Sequence, residues 1–104
     1  MINIRYTEFD GVAMTVQVTG HAHYAEEGKD IVCAGVSALL CTLADNIERI
    51  SDVHTIKLDK GDAIVSCVPL ADRMIETVIT FGTIVRGFRL MASAYPDHVK
   101  LTED

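Results

Sequence analysis

The 104-residue sequence has no tryptophan, two prolines, seven glycines and three cysteines. So little glycine and proline excludes collagen-like and low-complexity chains. An odd cysteine count with no leader in front of it points to reduced thiols rather than a disulfide framework. Basic residues are scarce as well: nine Lys and Arg stand against fifteen Asp and Glu, for a formal net charge of −6, with no basic block anywhere. Proteins that bind nucleic acid neutralise phosphates with clustered cations, so direct nucleic-acid binding is not expected. Residues 1–20 lack a basic segment followed by an apolar one, so no signal peptide is expected. The longest apolar stretch, Met74 to Met91, is broken by Glu76, Arg86 and Arg89, which argues against a membrane span. A cytoplasmic location with no membrane partner follows as the expectation.

What is present is enough apolar residue to build a core. Hydrophobic residues make up 49% of the chain, and the mean hydropathy is +0.25. Disorder is excluded. A chain of this size buries roughly 60–70% of its unfolded surface, enough for one domain over residues 1–104 without staples.

Ile2, Ile4 and Tyr6 alternate with polar residues, as does the run from Val12 to Thr19, and Asp10-Gly11 between them is a hairpin signal. From Asp30 the period changes. Val32, Val36, Leu39, Leu43, Ile47 and Ile50 mark an amphipathic helix of about five turns, with Asp30 as its N-cap. Residues 54–58 alternate again, Asp59 to Asp62 reads as a turn, and Ala63 to Val68 reads as the returning strand. After Pro69 a second helix is expected over Leu70–Ala94, with Met74, Val78, Phe81, Val85, Phe88 and Ala92 on its inner stripe. Ile75, Ile79 and Ile84 widen that apolar surface beyond one stripe, which suggests a face for a second subunit. A short strand near His98 to Leu101 would close the chain. The expected fold is α+β in the order ββα-ββα-β, a twisted mixed or antiparallel sheet with both long helices on one face, a two-layer sandwich.

Cys33 falls at the third position of the first helix, where free amides and the helix dipole stabilise an anion and make a thiol a better nucleophile. His21 ends a strand and opens a loop that returns to this helix start, close enough to serve the sulfur. A thiolate beside a histidine is the minimum equipment for cysteine-based acyl transfer. A lone cysteine in an apolar helix is more often a small core residue, and Cys41 and Cys67 are expected to be that, with Cys41 on the buried half of the helix.

The whole string Gly20-His21-Ala22, Tyr24-Ala25, Gly28 and Asp30-Ile31-Val32-Cys33-Ala34-Gly35-Val36-Ser37-Ala38-Leu39 resembles the ribosomal-processing cysteine proteases called Prp. The late helix ending in Tyr95-Pro96 and the similar length extend the resemblance over the chain. It implies a single Prp-like protease domain with a His21–Cys33 dyad. The implied substrate is the N-terminal extension of a large-subunit ribosomal protein, number twenty-seven, trimmed during ribosome biogenesis. It also implies a homodimer and a mobile loop between histidine and cysteine.

The remaining motif positions read as support. Asp30 caps the helix through the Cys33 amide, with a direct contact to His21 as the alternative. Ser37 lies one turn beyond Cys33, in a packing or hydrogen-bonding role. Gly20 and Gly28 look like hinges. Backbone amides at the helix start, Cys33's own included, are the expected oxyanion donors. Gly20–Lys29 is expected to act as a gate, with few apolar anchors. His54 and His98 are expected on strand surfaces. Two other readings stay open: a non-catalytic dimeric module that binds a ribosomal protein or assembly factor, and a zinc site of His21, His23 and Cys33. No further carboxylate or cysteine at ligand spacing supports the zinc site, so no metal and no cofactor is expected.

Overall fold

The computed structural model describes residues 1–9 and 13–104. The turn expected at Asp10-Gly11 lies outside the described residues. The elements are β1 (Ile2–Phe9), β2 (Ala13–Gly20), α1 (Ile31–Ile50), β3 (His54–Asp59), β4 (Asp62–Cys67), α2 (Met74–Ala94) and β5 (Val99–Glu103), with a single 3₁₀ turn at Ala71–Arg73 leading into α2. This is the expected ββα-ββα-β order, with the start of the second helix taken up by the 3₁₀ turn.

The five strands form one sheet in the order β3-β4-β2-β1-β5. All neighbours are antiparallel except β5, which runs parallel to β1. The sheet is therefore mixed, because α2 carries the chain back across the sheet before β5 begins. Register places the apolar half of each strand on one face: Ile4 opposite Val18, Val18 opposite Ala63, Val16 opposite Val65, and Ile2 beside Val99. All of these side chains are buried. Both helices cover that face, giving an α/β two-layer sandwich whose other face is wet. The Arg89 guanidinium ties α2 to Glu103 of β5, and this pair holds the Glu103 carboxyl below the usual carboxylate range.

The buried stripes differ from the expected ones in detail. On α1, Leu40 and Ala44 take inner positions, while Leu39 and Ile50 are half-buried. On α2, Val78 is exposed and Thr77 is buried in its place. Thr77 can be buried because its hydroxyl donates to the Arg73 carbonyl at 2.8 Å, leaving no polar atom unpaired. Ile84 also joins the core, whereas Ile75, Ile79 and Leu90 stay more than half exposed. α1, rather than α2, has the length and composition of a membrane span, a test that a core helix also passes; its stripe packs on the sheet.

The cysteines divide differently from expectation. Cys67 is a core residue, and burial pushes its thiol up and away from reactivity. Cys41 is exposed, not buried. It lies eight residues after Cys33, on the flank of α1 rather than on the Leu40–Leu43–Ala44 stripe that meets the sheet.

Candidate active site

The site is built around the start of α1. Asp30 is its N-cap, with φ −83° and ψ 99°. One carboxylate oxygen, Oδ1, accepts the N–H groups of Val32 at 3.0 Å and Cys33 at 2.9 Å. The other, Oδ2, accepts the N–H groups of Tyr24 at 2.9 Å and Ala25 at 3.4 Å. The Cys33 amide, helped by the other three, holds this carboxyl below the usual carboxylate range against the opposing effect of burial. Asp30 thus grips the backbone of the loop. Among the described residues no hydrogen bond joins it to His21.

Cys33 is half-buried, and its Sγ accepts the Ala22 N–H at 3.4 Å. His21 follows the last residue of β2, and its carbonyl accepts the Met1 nitrogen at 2.6 Å. Its imidazole sits close against Gly61 in the β3–β4 turn: a Cβ on Gly61 would stand 2.7 Å from His21 Nε2 and 3.0 Å from Cε1. Gly61 also has φ +76°, and its carbonyl accepts the Gly20 N–H at 3.0 Å. The sequence marks Gly61 as a turn residue, but nothing in it signals that the turn forms a seat for the histidine.

His21 and Cys33 open into the same groove, of about 960 Å³, which Gly20, His23, Gly28, Asp30, Ser37 and Cys41 also line. Its apolar wall is Val36, Leu40 and Leu58. Among the described residues no hydrogen bond joins the thiol to the imidazole. Catalytic contacts of this kind commonly tighten only when substrate binds. Ser37 is exposed in the groove, one turn beyond Cys33. Gly20 and Gly28, at φ +86° and +87°, have the left-handed backbone expected of them.

Three expectations change. The Cys33 N–H is engaged by Asp30, so it is not a free oxyanion donor; the N–H that reaches the sulfur comes from Ala22, outside the helix. His23 has the left-handed φ of +53°, and its ring meets that of His21 edge-on at 6.0 Å. Among the described residues no three His, Cys, Asp or Glu side chains converge, so the zinc reading lacks a ligand set. His98 is not a free surface residue. It is half-buried just before β5, with Nδ1 2.9 Å from the Ala22 carbonyl and its ring edge-on to Tyr24 at 5.3 Å. His54 is exposed at the start of β3, with Nδ1 2.6 Å from the Ser51 carbonyl.

The loop before α1 is accordingly anchored in its first half. Ala22 is buried, and Tyr24 packs on Tyr95 as well as on His98. The second half is exposed and held by polar contacts, including an ion pair between Glu27 and Lys60 of the β3–β4 turn.

A thiol held at a helix start and an imidazole in the same groove fit cysteine-based peptide hydrolysis. The sequence model of the family described as cysteine protease Prp matches residues 1–100. The chain belongs to the Prp family. It is 29% identical over 86 residues to the ribosomal processing cysteine protease Prp of Mycoplasma genitalium, covering 82% of this chain and 83% of that one. A shorter stretch of 37 residues is 46% identical to the Prp of Bacillus subtilis, 36% of this chain and 32% of that one. Among solved structures it resembles the essential ribosomal processing protease Prp of S. aureus in complex with a covalently linked product peptide. The TM-score is 0.84, with 25% identity and full coverage of both chains. The chain is a cysteine protease of the ribosomal-processing type.

Proposed function

We propose that this Prp-family protease removes the N-terminal extension of a large-subunit ribosomal protein, number twenty-seven, in the cytoplasm, with Cys33 as nucleophile and His21 as its acid–base partner. The observation that carries the reading is that the Cys33 sulfur and the His21 imidazole share one groove at the capped start of α1. His21 takes the Cys33 thiol proton, and the thiolate attacks the scissile carbonyl carbon and forms a C–S bond. As the C–N bond breaks, His21 delivers a proton to the leaving amine. Water, deprotonated by the same imidazole, then cleaves the thioester and restores the thiol. The apolar wall of Val36, Leu40 and Leu58 suits an extended apolar peptide. The net charge of −6 favours approach of a basic ribosomal protein.

The test is to incubate the protein with that ribosomal protein carrying its extension and to read the new N-terminus by mass spectrometry. A single cut that removes the extension is expected. Tight binding with no cut would select the non-catalytic assembly module instead.

The same reading includes a homodimer. Ile75, Val78, Ile79 and Leu90 leave α2 with apolar surface that the sheet does not cover. Sedimentation at micromolar concentration should give about twice the 11.4 kDa of one chain. A persistent monomer would overturn this part.

A further inference from the structure

We infer that His98 is a positioning residue for the cysteine chemistry: through the Ala22 carbonyl it holds the Ala22 N–H on the Cys33 sulfur. The inference rests on Cys33 being the nucleophile. Ala22 is contacted at both ends, with its N–H 3.4 Å from Sγ and its carbonyl 2.9 Å from His98 Nδ1. A carbonyl only accepts, so Nδ1 carries the proton, as it does in both the neutral Nδ1–H tautomer and the imidazolium.

The Ala22 N–H lies in the His21–Ala22 peptide plane, whose carbonyl accepts the Met1 nitrogen, and the Ala22 carbonyl lies in the next plane, Ala22–His23. His98 holds this second plane, and without it Ala22 would turn about its own φ and ψ and draw the N–H off the sulfur. His98 is itself fixed, because its N–H donates to the Tyr95 carbonyl at 3.0 Å and its carbonyl accepts the Ile2 N–H at 2.8 Å. It thus references the site to the junction of α2, β5 and β1. With the Cys33 amide taken by Asp30, the Ala22 N–H is the donor that supports negative charge on sulfur from outside the helix. His98 does not line the groove, so its effect falls on the reacting sulfur and not on substrate binding.

The test compares His98→Leu and His98→Phe, which remove the donor, with His98→Asn, which keeps an N–H near the position of Nδ1. The Phe variant retains a ring against Tyr24 and guards against misfolding of the Leu variant. Both donor-less variants should lose about tenfold in kcat with KM little changed, the scale of one lost hydrogen bond. Iodoacetamide should alkylate their Cys33 about threefold more slowly at neutral pH. Fragmentation of the labelled peptide separates Cys33 from the exposed Cys41. His98→Asn should restore both readouts. Unchanged kcat in a folded donor-less variant, unchanged alkylation, or equal losses in the Asn and Phe variants would overturn the inference. Each of these is distinct from failure of the underlying reading, which would show as turnover by Cys33→Ala.

Discussion

Cys33→Ala is expected to abolish peptide cleavage while the fold and binding of the substrate peptide persist. The side chain is half-buried at the rim of the groove, so removing its sulfur opens no cavity in the core. The helix start keeps its cap, because Asp30 bonds the Cys33 backbone N–H and not the side chain. What disappears is the atom that forms the bond to the scissile carbonyl. Cys33→Ser should be equally inactive, because a hydroxyl is a far weaker acid than a thiol and does not supply the anionic nucleophile that this site is built around. Single-turnover cleavage of an extension peptide, followed by mass spectrometry, measures the loss, and near-normal turnover in either variant would remove Cys33 from the mechanism. Cys67→Ala gives the opposite pattern. Its thiol is buried in the core, so the variant is expected to melt earlier but to cleave normally while folded.

His21→Ala is expected to lower turnover by roughly 10²–10⁴-fold, the usual contribution of a positioned acid–base group. Some activity survives because the thiol and the groove remain. The loss appears in kcat, since the imidazole moves a proton and does not seat the apolar part of the peptide. Gly61→Ala should produce a weaker loss of the same kind. A methyl group there would stand 2.7 Å from His21 Nε2, and φ +76° disfavours any side chain at that position. The ring must then leave its seat, although its chemistry is intact. Full activity in His21→Ala would exclude the histidine as the proton carrier.

Most of the fold is legible in the chain because its signals are local and periodic. Alternation marks the four strands of the two hairpins, and a three-to-four spacing marks both helices. Three features lie beyond that reach. The parallel pairing of β5 with β1 depends on where α2 delivers the chain, which spacing does not encode. Thr77 displaces Val78 from the core because a local carbonyl satisfies its hydroxyl, whereas a hydrophobic stripe favours valine. Cys41 occupies a flank one position from the buried Leu40, a rotation of about 100° that residue type alone cannot resolve.

The site shows the same division. Asp30, Cys33 and His21 are close in sequence and belong to one continuous motif, so they stand out together. Gly61 and His98 reach the site from the β3–β4 turn and from the start of β5. Their contacts run through a glycine with no side chain and a histidine with an unremarked neighbourhood. Long-range packing of this kind leaves no spacing to find.

The two oxygens of Asp30 make the helix start and the loop a single thermodynamic unit. Oδ1 holds Val32 and Cys33, and Oδ2 holds Tyr24 and Ala25. Its carboxyl is depressed in the folded protein, so the stabilisation is complete above the ordinary carboxylate value of about 3.9 and is lost as pH falls through the lower folded value. Acid therefore releases both partners at one titration step, and amide exchange of Tyr24, Ala25, Val32 and Cys33 should accelerate together. Asp30→Asn separates them. An amide offers a single acceptor oxygen, so one partner keeps its bond while the other faces an N–H donor like its own. The wild-type carboxylate works as a molecular rivet that joins the helix start bearing Cys33 to the loop that follows His21.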